Sequence, residues 1–584
     1  MSIAEKERPL TTKRSAIRGV IYNWITYLSQ IVIVFYATPI YVRELGLERY
    51  GVWTLIMSFT AWYVLADFGL RGAAVKFISQ FEAEDNHRAI DQVVVTAIGI
   101  YLVFTPILML VAGAVAWYFP TWFPTETQTD STVRMVVFVS AGAVAVNLLG
   151  QVFDAALMAL RRFDLVNIGA LGSQVLQATL IVIAVQNGRG LLTMSAIVFG
   201  VTCLNQLYRF VMAYKVLKGI SLRPSNFCKD LLWKLGCFGG LSSIQIIARE
   251  GAMPLGNLFI GKILGVTLVP FFSIGGQLAD YGARLATGVA GPLMPVASQL
   301  DTLGREKILR RAFTLGTKTL LAMGLIMAIV LISVGYPLIM YWMPDDLKKG
   351  GNIADFAGET YPILCILLPA YVFRMVGLGS RSILMGTNRM YFLGVLGLIE
   401  IILTVTVGLG LLRYMDWAGG MALGILVAQF ITSGTAIPIA TARVVDVSFG
   451  KFLQTIIWPA FSSAMPVAAA GCAVWYFNNS GGPLAAQNVY HVIFQALGIG
   501  LIGALSMFFL CFDQHLRNDI LSSFIGKKFL KSPTGSLLLA LPISKQLLTP
   551  LLTHTGRGKP AATEGEGSTG GDETETDESG NREA

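Results

Sequence analysis

The stretch Asp67-Phe68-Gly69-Leu70-Arg71 returns 213 residues later as Asp280-Tyr281-Gly282-Ala283-Arg284, and each copy lies near the end of a long apolar run. A second pair of matching segments follows in the same order: Leu157-Met158, with Arg162 shortly after, recurs 227 residues later as Leu384-Met385 with Arg389. Two matches in one order, at similar offsets, indicate a duplicated half. The sequence therefore predicts two homologous membrane bundles, an organisation typical of transporters.

The composition agrees with a membrane protein. Hydrophobic residues occupy 54% of the 584 positions and charged residues only 14%, whereas charged residues make up about 25% of an ordinary soluble domain. A membrane-spanning helix needs about 20 consecutive apolar residues. The chain contains fourteen such runs, at about 17–40, 51–70, 92–118, 133–158, 167–186, 191–212, 236–260, 266–290, 312–341, 360–384, 391–411, 419–440, 456–477 and 489–512. The predicted fold class is an all-α polytopic membrane protein with about fourteen transmembrane helices.

The repeats divide these helices into two six-helix lobes and two additional helices. Both repeats join spans an even number apart, so the lobes are expected to be related by an axis along the membrane normal, as a parallel pseudo-repeat. The predicted segments are a cytoplasmic N-terminus (1–16), an N-terminal lobe (17–212), a cytoplasmic linker (213–235), a C-terminal lobe (236–440), two additional helices (441–512), an amphipathic juxtamembrane segment (513–555) and a disordered acidic tail (556–584).

The distribution of basic residues predicts the orientation. With the N-terminus in the cytoplasm, about 24 Lys and Arg residues fall in inner segments and about 8 in outer loops, which matches the positive-inside rule. We therefore predict that both termini are cytoplasmic. The same inner excess accounts for the net charge of +9, so the charge is no argument for binding nucleic acid.

Three charged residues lie deep in predicted spans, namely Arg249, Glu250 and Arg374. A charged side chain at this depth is costly and normally faces a cavity or a partner. Because guanidinium groups bind phosphate oxygens through a rigid fork of donors, Arg249 and Arg374 predict an anion-binding cavity. The alternative is that ion pairs merely hold helices together. Arg249 and Glu250 cannot pair with each other, since adjacent helical residues point in different directions.

Further polar residues are candidates for the cavity or for helix packing. Asn23, Tyr27 and Gln30 share one face of the first span and either line the cavity or form hydrogen bonds between helices. The pairs formed by Asp67 with Arg71 and by Asp280 with Arg284 have helical i,i+4 spacing. We interpret both as structural ion pairs at the cytoplasmic edge of the lobes.

No signature of an enzyme is visible. The six cysteines and four histidines are scattered without the spacing of metal ligands, and the chain contains no P-loop. We therefore predict a transporter without a metal site, cofactor or catalytic residue.

The N-terminal third resembles a known family. Residues Thr38–Arg43, Leu45-Gly46, Tyr50–Trp53 and Leu65–Leu70, with Arg162-Phe163-Asp164 and Asn167, are similar to motifs of the polysaccharide (O-antigen type) flippases. These proteins belong to the multidrug/oligosaccharidyl-lipid/polysaccharide exporter superfamily. The resemblance is clear over about residues 17–215 and mainly topological up to about 512.

This resemblance implies a function. Members of the family move undecaprenyl-pyrophosphate-linked glycans across the bacterial cytoplasmic (inner) membrane by alternating access, in the biosynthesis of O-antigen or exopolysaccharide. The implied partners are that glycan, membrane lipids, and the polymerase and chain-length machinery of the polysaccharide. Cavity arginines in the family meet the anionic carrier or acidic sugars, and Arg249 and Arg374 are the best-placed matches.

Three alternatives stay open. One is a multidrug antiporter of the same superfamily coupled to Na⁺ or H⁺, which usually needs a carboxylate in the first span or at a defined C-lobe site; the first span here has neither Asp nor Glu. Another is a flippase for peptidoglycan precursors. The third, from a different class, is a membrane-embedded glycan polymerase, which should carry a large outer loop that this chain lacks.

Overall fold

The computed structural model describes residues 13–64, 69–160, 162–217, 219, 221, 223–290, 293–343, 353–387, 389–482, 485–514 and 517. These ranges are helical and contain no strand. Met1–Cys511 forms one compact unit, and Phe512–Ala584 is assigned to a second. The predicted amphipathic segment 513–555 lies outside the described residues from 518 onward, as does the whole predicted tail 556–584.

The first half consists of α1 (Lys13–Val64), α2 (Leu70–Ala83), α3 (His87–Trp122), α4 (Asp130–Ala159), α5 (Phe163–Gln186) and α6 (Leu191–Val216). Gly46 interrupts α1 with a non-helical backbone (φ 77°, ψ 167°), so α1 comprises two segments that supply the first two predicted spans. This conformation is open to glycine at little cost and strains other residues. Helix α4 is central, because α2, α3 and α6 all pack against it.

The second half of the chain and the two appended helices contain nine further helices among the described residues. They are α7 (Lys229–Ile263), α8 (Val269–Ala290), α9 (Leu293–Thr302), α10 (Glu306–Trp342), α11 (Ile353–Gly386), α12 (Met390–Met415), α13 (Gly419–Val444), α14 (Phe449–Ser480) and α15 (Val489–Cys511). Helix α11 packs against α8, α10 and α13, while α14 and α15 pack on α10.

Local backbone geometry repeats between the halves. Gly265 separates α7 from α8 with φ 106° and ψ 157°, as Gly46 separates the two segments of α1. The second sequence repeat also ends its helix in the same way each time. The amide of Arg162 donates to the carbonyl of Leu157 at 2.9 Å, and the amide of Arg389 donates to that of Leu384 at the same distance. Leu157 and Leu384 are both fully buried.

The first sequence repeat differs in structure between its two copies. Gly69 has a left-handed backbone (φ 68°, ψ 11°) and precedes α2, so the chain turns there. Gly282 lies inside α8, which continues to Ala290. The same motif is therefore at a helix start in one half and in a helix interior in the other.

The predicted spans correspond well to the helices. All fourteen fall on helices, although the second (51–70) runs past the described end of α1. Ten of the described helices are long and apolar enough to cross a membrane, by length and composition. The chain is a multi-pass helical membrane protein. Hydropathy did not predict α2 and α9, because they contain only 14 and 10 residues and are not uniformly apolar.

The two halves touch directly at several points. Gly51 of α1 lies so close to the Val266 carbonyl that a Cβ there would overlap the oxygen. The ring of Trp342 stacks on Phe35 with centroids 4.7 Å apart, and its Nε1 donates to the Phe35 carbonyl at 2.6 Å. These contacts join α1 to the second half of the chain.

A buried ion pair holds the second half together. Arg381 of α11 places Nη2 2.6 Å from Glu400 Oε2 of α12 and donates to Ser433 Oγ at 2.9 Å. Glu400 also accepts from Gln429 at 2.7 Å and from Thr432 at 3.1 Å. The Glu400 side chain is 1% exposed. Three helices thus share one polar network away from solvent.

Close packing of glycines joins α12 to α13. Gly420 and Gly424 have the GxxxG spacing that lets membrane helices approach closely. A Cβ at Gly424 would overlap the backbone of Gly408, and one at Gly420 would lie 2.7 Å from the backbone of Leu411.

We expect Gly424→Leu to destabilise the protein by about 1–3 kcal/mol, the usual cost of overpacking. Gly410→Leu is the matched control, since Gly410 is on the same helix pair and a Cβ there meets nothing within 4 Å. Thermal unfolding in detergent measures both variants. Equal melting temperatures for the two would show that the close approach of α12 and α13 is unimportant.

Candidate functional site

Two chambers lie next to each other inside the molecule. The large chamber, of about 510 Å³, is lined by α1, α7, α8 and α11. The small chamber, of about 460 Å³, is lined by Tyr27 of α1 and by residues of α7, α8 and α11. Four charged residues line both chambers and are termed here the charge cluster: Glu250, Asp280, Arg284 and Arg374.

Arg374 is at the centre of the charge cluster. Its Nη2 lies 3.2 Å from Glu250 Oε2 and its Nη1 lies 3.6 Å from Asp280 Oδ1. Its guanidinium also lies over the ring of Tyr371, 5.4 Å from the centroid. The Arg374 side chain is 18% exposed and that of Glu250 is 47% exposed. The arginine is therefore held from three sides, and one of its partners is well solvated.

Arg284 supplies the second positive charge of the charge cluster. Its Nε lies 2.6 Å from Asp280 Oδ2, one helical turn earlier on α8, and its Nη1 donates to Gln30 Oε1 of α1 at 3.4 Å. Asp280 thus bridges the two arginines. Because Gln30 belongs to α1, this contact connects the charge cluster with the first half of the chain.

The charge cluster lies well inside α8, away from the start of the helix. Asp280 is 11 positions after Val269, the first residue of α8. At 1.5 Å per residue this is about 16 Å, roughly half the thickness of a hydrocarbon core. Charges at such depth are expensive unless they face a cavity or partners, and these do both.

The wall of the large chamber on α1 carries hydroxyl groups and aromatic rings. Tyr50, Thr54 and Ser58 recur every four residues and so share one face of the helix. Thr54 Oγ1 donates to the Tyr50 carbonyl at 2.9 Å, and Ser58 Oγ donates to the Thr54 carbonyl at 2.8 Å. Tyr41 and Trp53 also line this chamber.

Two amide side chains face this wall from the second half. Asn257 of α7 donates from Nδ2 to Ser58 Oγ at 3.0 Å, a hydrogen bond between the halves. The Asn257 Oδ1 and the Gln277 Oε1 of α8 are buried and have no hydrogen-bond partner among the described residues. Both residues line the large chamber.

The structure brings together some of the predicted cavity residues. Glu250 and Arg374 meet in the charge cluster, so Glu250 of α7 pairs with a residue of another helix, α11. Tyr27 lines the small chamber and Gln30 contacts Arg284. The backbones of Asn23 and Arg249 belong to α1 and α7, but their side chains lie outside the described part of the structure.

The predicted edge pairs have a different arrangement. Asp280 and Arg284 do form an ion pair, and both line the two chambers; their position at the cytoplasmic edge stays a prediction. Asp67 lies outside the described residues. Arg71 is in α2, after the turn at Gly69, and places Nη2 2.9 Å from Asp154 Oδ2 of α4. The i,i+4 argument fails there because the helix does not run through Gly69.

Asp154 is nearly completely buried and has a second cationic partner, Arg209 Nη1 of α6 at 3.4 Å. This cluster ties α2, α4 and α6 together, as the Arg381–Glu400 pair ties α11, α12 and α13. Because the described residues of both clusters lie away from the two chambers, we assign them to helix packing.

The uncharged residues of the large chamber were not predicted, although their spacing carries a signal. Gln277, Asp280 and Arg284 fall at i, i+3 and i+7, on one face of α8, and Asn257 is seven positions after Glu250 on α7. A search of the positions that share a helical face with each charged residue would have identified both amides. Tyr371, three residues before Arg374, follows the same rule.

Known proteins similar to this chain are transporters and flippases. No family model matches the chain. A proposed O-antigen transporter of Shigella flexneri is 23% identical over 263 residues, which cover 44% of this chain and 61% of that protein. A proposed O-antigen export protein of Yersinia pseudotuberculosis is 37% identical over 87 residues, 15% of this chain and 19% of the relative. The matched region therefore spans less than two thirds of either relative.

Solved structures share the fold. An inward-facing multidrug resistance transporter of the MATE family, in the MOP superfamily, has a TM-score of 0.60 at 14% identity and covers 73% of this chain and 98% of its own. The lipid II flippase MurJ in an inward closed conformation has a TM-score of 0.58 at 14% identity and covers 86% and 100%. The resemblance predicted from the sequence is confirmed: the chain is similar to O-antigen export proteins and has the fold of the MATE and MurJ transporters of the MOP superfamily.

Proposed function

We propose that this chain is a flippase that moves an undecaprenyl-pyrophosphate-linked oligosaccharide across the bacterial cytoplasmic membrane by alternating access. The sequence similarity to O-antigen export proteins and the fold of the lipid II flippase support this proposal. In this account the charge cluster receives the pyrophosphate of the carrier. A polymerase and the chain-length machinery would act on the glycan after its release.

The observation that carries the proposal is the pair of arginines, Arg284 and Arg374, that line both chambers. Two nitrogens of Arg374 face carboxylates, so an incoming phosphate competes with those carboxylates for the guanidinium. Glu250 is the partner that can leave, because its side chain is half-exposed and an ion pair of an exposed carboxylate contributes little energy that would be lost on release. Asp280 keeps Arg284 as its partner during the exchange.

Contacts between the halves fit alternating access. The described contacts of Gly51 with Val266 and of Ser58 with Asn257 consist of close backbone packing and one neutral hydrogen bond. A neutral hydrogen bond contributes only about 0.5–1.5 kcal/mol. These two contacts can therefore separate without the cost of breaking a buried ion pair.

A cation-coupled antiporter is the second candidate, favoured by the two carboxylates that face the chambers. Glu250 and Asp280 could accept H⁺ or Na⁺ if they were free. In this structure each of them lies within 4 Å of a guanidinium, and that positive charge competes with a cation. Binding measurements distinguish the candidates, since only the flippase should recognise undecaprenyl diphosphate.

We expect Glu250→Gln to raise the affinity for undecaprenyl diphosphate by about threefold to fivefold. The change removes the charge that competes for Arg374, and a partly exposed ion pair contributes up to about 1 kcal/mol. The measurement is binding of the lipid to the purified chain in nanodiscs. Glu84→Gln, at an exposed carboxylate outside the chambers, is the control and should change nothing. Weaker binding by Glu250→Gln would mean that Glu250 supports the site and does not compete with the ligand.

A further inference from the structure

The large chamber has a chemistry different from that of the charge cluster. Apart from the four residues of the cluster, the residues that line it carry hydroxyl, amide, aromatic or aliphatic side chains. Its volume of about 510 Å³ falls in the range of about 300–1,000 Å³ that is typical of small-molecule sites. A charged group held only by these uncharged residues would lack a counter-charge and lose its hydration. This part of the chamber therefore suits a neutral polar ligand.

The hydrogen bonds of Ser58 and Asn257 determine which polar atoms of the chamber can bind that ligand. The proton of Ser58 Oγ is committed to the Thr54 carbonyl, so Ser58 can only accept from Asn257. The amide of Asn257 must then turn its NH₂ group to Ser58, which leaves Oδ1 as the free acceptor. Asn257 is 6% exposed, and a buried acceptor without a donor is costly. Gln277 Oε1 is a second such acceptor in the same chamber.

Two acceptors in a chamber that aromatic rings also line match the chemistry of a sugar. Sugar hydroxyls supply the donors that Asn257 and Gln277 lack, and the apolar C–H face of a pyranose packs on aromatic rings such as Tyr41 and Trp53. Because the charge cluster lines the same chamber, a sugar there would be next to a phosphate bound at Arg374.

We propose that the large chamber binds a neutral sugar residue of the lipid-linked substrate, through the amide oxygens of Asn257 and Gln277, while the charge cluster binds the diphosphate. This inference rests on the proposed function and makes it more specific: the sugar next to the phosphate is uncharged, and a uronic acid at that position is excluded from the chamber.

Binding of three lipids to the purified chain in nanodiscs tests the proposal. They are undecaprenyl diphosphate alone, the same lipid carrying N-acetylglucosamine, and the same lipid carrying galacturonic acid. The wild-type chain should bind the N-acetylglucosamine lipid about tenfold more tightly than the bare diphosphate, as expected from two neutral hydrogen bonds. The galacturonic acid lipid should gain nothing. Equal binding of the neutral-sugar lipid and the bare diphosphate would overturn the proposal.

Variants of Asn257 and Gln277 test whether the sugar binds in the large chamber. Asn257→Leu and Gln277→Met should each weaken binding of the N-acetylglucosamine lipid about threefold and leave the bare diphosphate unchanged. If loss of the bond to Ser58 prevents Asn257→Leu from folding, Gln277→Met decides the outcome alone. Gln174→Met is the matched control, because Gln174 also has a buried, unpaired Oε1 among the described residues but lies in α5, outside the chamber. An equal loss for both lipids in Gln277→Met would contradict a sugar-specific role.

The experiment separates this inference from the proposed function. Arg374→Ala should weaken binding of both lipids, since both carry the diphosphate. If Arg374→Ala weakens both but the chamber variants weaken neither, the flippase proposal stands and the sugar site is wrong. If Arg374→Ala changes neither, the proposed function itself fails.

Discussion

Replacement of Arg374 by alanine should lower the affinity for undecaprenyl diphosphate by about 10- to 100-fold and stop transport of the lipid-linked glycan. Hydrogen bonds to charged groups contribute about 1.5–3 kcal/mol, and Arg374 is the cation that both chambers share with two carboxylates. The protein should still fold. Asp280 keeps its 2.6 Å contact with Arg284, and Glu250 is exposed enough to be solvated.

Arg374→Lys is the informative companion variant. Lysine keeps the charge but loses the planar fork that binds two oxygens together, so only part of the affinity and transport should return. Arg310→Lys serves as a control, because Arg310 pairs with the exposed Asp446 outside the chambers. Full activity of Arg374→Ala at normal protein levels would return Arg374 to a role in helix packing.

Arg381→Leu should have the largest effect on stability, a loss of about 3–5 kcal/mol, because it leaves Glu400 buried without a cation. Thermal unfolding of the purified chain and the amount of folded protein in membranes measure this loss. Arg310→Leu, which removes an exposed pair, should cost less than about 1 kcal/mol.

The double variant Arg381→Leu, Glu400→Leu provides the internal check. When both charges are removed, no uncompensated charge stays in the core, so the double variant should be more stable than Arg381→Leu alone. If Arg381→Leu unfolds at the wild-type temperature, the Glu400 network does not hold α11, α12 and α13 together.

Most of the fold could be predicted from the sequence because membrane spans depend on one simple property, the length of an apolar run. The runs at 92–118 and 133–158, for example, lie within α3 and α4. The repeat of Leu157 and Leu384, which predicted a duplicated half, marks equivalent helix ends in the structure. Helix α9, with 10 residues, is too short for this signal.

The site was predictable only in part, because sequence spacing gives the face of one helix and not the partner on another. Arg374 was identified from its depth alone. That Glu250 meets Arg374 from α7, and that Asp280 and Arg284 face the same cavity, depends on how three helices pack. The repeat containing Asp67 did not predict Asp154 as a partner of Arg71, because that contact joins α2 to α4.

The central claim is that the chain moves an anionic lipid-linked glycan through the cavity that contains Arg374. Its most direct test uses liposomes that contain the purified chain and undecaprenyl-diphosphate–N-acetylglucosamine with a fluorescent label on the sugar, under an imposed membrane potential. Dithionite added outside destroys only the label in the outer leaflet. We predict that the protected fraction falls over minutes with the wild-type chain and stays constant with Arg374→Ala or without protein. A protected fraction that is the same with the wild-type chain as in protein-free liposomes would contradict the account.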